Sequence, residues 1–190
     1  MATHTATATG TGIPGLTAGT WEIDGDHSDV SFAVRHMMVS KVRGKFGAVR
    51  GTITITDDIM SSSVEATVDV SSFDTGNVDR DNHVRSADFL EIEKYPTMTY
   101  RSTAVRRKGS DYVVDGDLTL HGVTRPVSFG LEFGGAGTDA YGKQRAGFSV
   151  AGELNRRDFG VDITMPLDGG GVVVGDKVKL SLEIAAVLAE

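Results

Sequence analysis

His83 stands two residues from Asp81 and three from Arg80 in "VDRDNHVR". An imidazole beside a carboxylate is the pairing that general acid–base catalysis uses, the carboxylate orienting the ring. Residues two apart on a helix do not face each other, so helical spacing here gives local ion pairs on a solvated face instead. A second group, Asp24 to Ser28 in "DGDHS", contains the three residue types of a hydrolytic triad. A triad is defined by spatial roles, and no G-x-S-x-G elbow is present, so the segment reads as a turn leading into a strand. His27, His36, His83 and His121 would need to converge to hold a metal. No H-E-x-x-H or His-x-His spacing supports that, and no metal site is expected. "GGAGTDAYG" has the glycines of a phosphate loop, but it joins two alternating runs and reads as a hairpin.

The elements that must position these side chains follow from composition and periodicity. The 190 residues suit one domain with a substantial core. There are 24 Gly against 4 Pro, and the glycines fall between short alternating runs, which favours an all-β chain with many turns. The net charge of −7 carries no broad cationic surface. Nucleic acid is therefore not an expected partner, and neither is stable membrane insertion. The short "VRRK" at Val105–Lys108 reads as a solvated strand end. Absence of Cys removes disulfides, thiolate chemistry and Cys-based zinc sites. Residues 1–20 lack the cationic and apolar regions of a secretory signal and read as a flexible Thr/Gly tail on a cytoplasmic protein. No apolar run approaches the roughly 18 residues of a membrane span.

Period-two alternation dominates the rest. Val30, Phe32, Val34 and His36 share one face of a strand, with Ser31, Ala33 and Arg35 on the other. The pattern returns at Ile53 and Ile55, at Val64 to Val70, at Met98 and Tyr100, and in "DYVVDGDLTLHG". It continues through Val127 to Phe133, Phe148 to Leu154, and Val178 to Ile184, making roughly eight strands. Short consecutive strands without crossover helices imply antiparallel pairing. An eight-stranded up-and-down barrel, which removes exposed edges, is the expected fold, with a two-sheet sandwich as the alternative.

Residues 71–96 interrupt the alternation. Asn77 caps a short helix through about Val84, Ser86 starts a further turn through Phe89, and Pro96 prevents continuation. "LNRRDFGVD" reads as a tight turn leaving a strand. The inward face predicted from the alternation carries Phe32, Val34, Val68, Val70 and Tyr100. It continues with Leu118, Leu120, Phe129, Phe148, Val150, Leu180 and Leu182. A barrel so lined either fills with its own side chains or holds a slender apolar ligand, and periodicity does not choose.

Four segments carry a resemblance. They are "WEIDGDHSDVSFAVRHMMVSKVRGKFG", "VDVSSFDTGNVDRDNHVRSADFLEIEKYPTMTY", "DGDLTLHGVTRPV" and "NRRDFGVD". Together they are similar to the YceI-like, or polyisoprenoid-binding, proteins. The resemblance implies a lipocalin-like barrel over residues 21–190, with a tunnel for a long isoprenoid or similar amphiphile. Phe32, Val34, His36, Val68, Val70, Tyr100, Leu118, Leu120, Phe129, Phe148 and Val150 would then line the tunnel. Residues 77–96 would cap it, with Phe73 and Phe89 tucked toward the bore and Asn77, Arg80, Asp81 and His83 at the rim. No cofactor is expected beyond a bound polyisoprenoid or isoprenoid quinone, and no catalytic residue set carries over. His121 and Asp158 are expected to be structural. The expected role is carrier or reservoir for that ligand, with a homodimer favoured by the apolar mouth. Two alternatives stay open: an enzyme acting on a prenyl head group through His83 with Asp81 or His36, and a stress-linked interaction domain with a filled core.

Overall fold

The computed structural model describes residues 10–164 and 173–190. Their strands are β1 (Gly19–Ile23), β2 (Asp29–His36), β3 (Ser40–Phe46), β4 (Val49–Ile55), β5 (Ser63–Asp69) and β6 (Phe73–Asp74), followed by helix α1 (Val78–Arg85). Five long strands follow: β7 (Thr97–Lys108), β8 (Asp111–Leu120), β9 (Val123–Thr138), β10 (Gln144–Asn155) and β11 (Val174–Leu188).

All pairings are antiparallel, and β11 returns to pair with β1. Eleven strands make eight staves because the first three staves are each broken once. β11 pairs with β2 along Val178–Glu183 and with β1 along Ala186–Leu188, so β1 and β2 form one interrupted stave. In the same way β4 pairs with β1 while β3 pairs with β2, and β5 pairs with β4 while β6 pairs with β3. The result is the eight-stave, up-and-down barrel that alternation predicts, closed by the β1–β11 pairing, with β6 paired on one side only.

The three breaks lie side by side. Asp69 donates its N–H to the Ala48 carbonyl at 2.9 Å, and Ser72 Oγ accepts from the N–H groups of Gly47 and Ala48. A Cβ on Gly25 would stand 2.6 Å from the Val49 carbonyl oxygen, so the backbones there approach too closely for any other residue. Beyond the breaks, Phe32, Phe46 and Phe73 pack with ring centroids 5.1 to 5.7 Å apart. Strands β1, β3 and β6 are absent from the eight alternating runs. For β3 a signal exists: Lys41, Arg43 and Lys45 alternate with Val42, Gly44 and Phe46, but a glycine in the apolar set hides it.

The barrel has two unlike ends. At one, residues 10–18 are not a loose tail. Thr11 Oγ1 donates to the Leu16 carbonyl at 2.8 Å, Trp21 Nε1 donates to the Thr17 carbonyl at 3.0 Å, and Leu16 is buried against Trp21, Ile55 and Phe148. The expectation of a flexible tail over 1–20 therefore fails for its second half, because apolar Ile13 and Leu16 close that end. Residues 1–9 lie outside the described residues. Nearby, Arg145 joins Asp24 and Asp139, each at 2.7 Å, and its guanidinium holds both carboxyls below the usual carboxylate range.

The other end carries α1, the segment up to Pro96, the turn after β10, and the β2–β3 hairpin. That hairpin turns through Met37 and Met38, at φ 51° and 62°, closed by the Val39 N–H on the His36 carbonyl. A left-handed conformation costs a residue with a side chain about 1–2 kcal/mol, and two adjacent methionines bear it.

Candidate functional site

The barrel interior is a continuous cavity of about 730 Å³, walled almost wholly by apolar side chains. That lies within the range of about 300–1,000 Å³ typical of small-molecule sites. The filled core that periodicity left open is not what these residues build. Part of the reason is where the aromatics lie. Gly44 is the cross-strand partner of Phe32, and a Cβ there would strike the ring. A Cβ at Gly116 would stand 2.5 Å from Cζ of Tyr100, and one at Gly152 would stand 2.6 Å from Cδ1 of Phe129. Each ring thus lies along the wall over a glycine of the neighbouring strand, instead of projecting to the axis. The Tyr100 hydroxyl donates toward the carbonyls of Val127 at 2.9 Å and Val114 at 3.2 Å. Burial pushes that phenol's pKa well above its ordinary value, so it stays a neutral donor in the wall.

Among the residues expected on the tunnel, Phe32, Val34, His36, Val68, Phe73 and Phe89 line the cavity. Tyr100, Leu118, Leu120, Phe129, Phe148 and Val150 line it too, as do Leu180 and Leu182. Val70 is the exception. The alternation ends at Asp69, and Val70 begins a single-turn helix, is 1 % exposed, and packs outside the bore in the cluster around Phe46 and Phe73.

Helix α1 forms for local reasons. Asn77 Oδ1 accepts from the Arg80 N–H at 2.9 Å, Asp79 and Asp81 occupy the first turn, and His83 and Arg85 the last, which suits the helix dipole. Of the four rim candidates, Arg80 and His83 line the cavity and Asn77 and Asp81 do not. Asn77 is occupied as the cap. Asp81 is 4 % exposed and accepts from both the N–H and the hydroxyl of Thr75, whose oxygen in turn accepts from Arg80 Nε at 2.7 Å. Arg85 Nη2 donates to the Phe73 carbonyl. These bonds pin the helix to the strand it follows and place Phe73 and Phe89 over the bore.

The catalytic pairings fare differently. His83 bonds Asp88 at 2.9 Å, not Asp81, and the edge of its ring meets Phe89. His27 does meet Asp24 at 2.8 Å, but Ser28 Oγ is engaged with the backbone of Ala185, so no nucleophile joins them. Among the described residues no three of His, Asp and Glu gather as a metal site. His121, at φ 54°, bonds the Phe159 carbonyl through Nδ1 at 3.0 Å and meets the edge of Tyr95. Asp158 is exposed in its turn, and Asn155 supplies the cap by accepting from the Arg157 N–H.

The turn after β10 adds a cavity residue that lies outside the alternating set. Arg156, 5 % exposed, donates to the carbonyls of Val161, Gly175 and Val174 and to Asp176. Burial lowers its pKa and Asp176 opposes the shift. It lines the same end of the cavity as Arg35, His36, Arg80 and His83, while the opposite end is closed by Ile13, Leu16 and Ile59. The site is an apolar bore with one polar end.

A family model described as the YceI-like domain matches residues 21–186. A UPF0312 protein of Vibrio cholerae is 43% identical over 141 residues, covering 73% of this chain and 75% of that protein. Among solved structures, Burkholderia cenocepacia BcnA superposes with a TM-score of 0.74 at 23% identity, covering 86% of this chain and 98% of that one. A domain from Saccharophagus degradans, described as polyisoprenoid binding and implicated in plant cell wall breakdown, gives 0.67 at 15% identity over 90% of this chain and 99% of its own. At those identities the two structures show the shared fold.

Proposed function

The chain belongs to the YceI-like domain family, and from that premise we propose that it binds one long apolar chain, an isoprenoid or isoprenoid quinone, lengthwise in the barrel and serves as its carrier or store. The observation that carries this reading is the shape and chemistry of the cavity, about 730 Å³ of apolar bore with polar side chains gathered at one end. The Saccharophagus degradans domain's description points the same way.

Each methylene moved from water into such a bore contributes about 0.8 kcal/mol, so a five-carbon isoprene unit contributes at most roughly 4 kcal/mol. Ordering of a flexible chain offsets a share of this. Affinity then depends on chain length and little on salt, while the polar end, with Arg80, His83 and His36, orients the head group. Phe32, Val34, Val68, Tyr100, Leu118, Leu120, Phe129, Phe148 and Val150 supply the contact surface, with Phe73 and Phe89 beneath the helix.

The test is organic extraction of gently purified protein followed by mass spectrometry. A stoichiometric long-chain isoprenoid, absent from a control protein handled identically, is the expected result. Failure of ligand-free protein to take up polyprenols or prenyl quinones of any length would refute the proposal.

A further inference from the structure

We infer that the β2–β3 hairpin docks the polar end of the barrel onto an anionic phospholipid surface. The tip of this hairpin is apolar and exposed: Met37 is 46 % exposed, Met38 49 % and Val39 87 %. Left-handed backbone at both Met37 and Met38 is the conformation for which Asn and Gly are the favoured residues. Folding alone would select Asn-Gly here, so two flexible apolar side chains held in that strained turn point to a role in contact with something apolar.

Charge identifies the surface. Val34 and Val42 face the bore, so Ala33, Lys41 and Arg43 face outward, while Arg35, exposed beside the tip, also lines the polar end of the cavity. Arg35 stands directly opposite Lys41, and the next outward row runs Glu153, Lys179, Ala33, Arg43 across β10, β11, β2 and β3. Among the described residues none of Arg35, Lys41, Arg43 and Lys179 joins an ion pair. Like charges directly opposite across a strand pair destabilise a sheet. A chain of net charge −7 nonetheless gathers Arg35, Lys41 and Arg43 without an ion pair behind an apolar tip, with Lys179 beside them in register with Glu153 of β10. An anionic bilayer fits both features, since its interface accepts the tip and its head groups neutralise the cations. A second copy docked by two-fold symmetry would set the cationic face against itself. The net charge, which speaks against docking of the chain as a whole, does not describe this patch.

The patch also stands at the bore. His36, the last residue of β2, lines the cavity, and Met37 donates its N–H to the carbonyl of Val173, which lines it too. Docking there would let an apolar chain pass between bilayer and barrel without crossing water. That consequence rests on the carrier reading, whereas the docking itself does not.

The experiment is flotation with vesicles of phosphatidylcholine plus phosphatidylglycerol, and of phosphatidylcholine alone. Wild-type protein is expected to float with the first, to stay behind with the second, and to detach as salt rises from about 0.1 to about 1 M. Met37→Asn with Met38→Gly is expected to keep or raise Tm, because it installs a better turn, while losing flotation. Lys41→Glu with Arg43→Glu is expected to weaken vesicle affinity at least ~10-fold. Uptake of a dansyl-labelled polyprenol in vesicle-free solution separates the two readings: flotation without uptake upholds the docking and removes the carrier. Undiminished flotation of the folded Asn-Gly variant, or no flotation of wild type, would overturn the docking. So would sedimentation showing that the tip joins two copies of the chain while vesicles are ignored.

Discussion

Replacing Ala66 by Phe asks whether the barrel is hollow. Ala66 faces the bore from the middle of β5, between Val64 and Val68, with Tyr100 and Gly51 as its cross-strand neighbours. In a packed interior an inserted benzyl group costs about 1–3 kcal/mol through strain. In a cavity of about 730 Å³ it finds space, and full burial of a Phe side chain contributes about 1.5–3 kcal/mol. The two cases therefore differ in sign. For a domain of this size about 1 kcal/mol moves Tm by roughly 2–4 °C. Ligand-free Ala66→Phe is expected to show no fall in Tm and a rise of up to about 12 °C, read by calorimetry after organic extraction. On the ligand side, the ring occupies room for about one isoprene unit, worth at most roughly 4 kcal/mol. A polyprenol length series is expected to lose at least ~10-fold in affinity at its long end and little at its short end. A fall in Tm typical of an overpacked core would refute the hollow interior. Unchanged affinity at every length would show that the chain binds elsewhere.

Gly152→Ala would bring a methyl group to 2.6 Å from Phe129 Cδ1 and is expected to cost about 1–3 kcal/mol in urea unfolding as the ring is pushed off the wall; unchanged stability would mean that the ring does not need the glycine. Tyr100→Phe removes a donor shared by the Val114 and Val127 carbonyls and is expected to lower stability by about 1 kcal/mol while leaving ligand uptake intact. Asp115 is held at a pKa of about 2, down from 3.8, first by hydrogen bonds from Arg106 and then from Ser128. A depressed folded pKa stabilises the fold above the ordinary carboxylate pKa, and that contribution is lost as pH falls from about 4 through about 2. Carboxyl NMR titration is expected to place Asp115 near 2, and Arg106→Gln to move it upward and flatten the acid limb of stability; an unmoved Asp115 would remove Arg106 as the cause.

Period-two alternation determined the antiparallel strands, because a strand with one buried face has no other pattern available, and it left a barrel or a two-sheet sandwich as the ways to bury them. It also named the inward residues from Phe32 to Leu182, Val70 excepted, and the Asn77 cap located α1 from side-chain chemistry three residues ahead. These features are local: side-chain size, polarity and spacing decide them before any long-range contact forms. What alternation could not show is whether inward side chains meet across the axis. Tertiary structure decided that, because aromatics on one strand lie over glycines on the next, and this depends on register between strands distant in sequence. Asp81 against Thr75, Arg156 against four acceptors, and Leu16 closing the far end are likewise products of approach in space, invisible in spacing. The cationic row of Lys179, Ala33 and Arg43 joins residues more than a hundred positions apart, and no window on the sequence contains it. The residue types and their faces were written in the chain; the hollow bore and what surrounds its mouth required closure of the barrel, because only closure fixes which faces oppose.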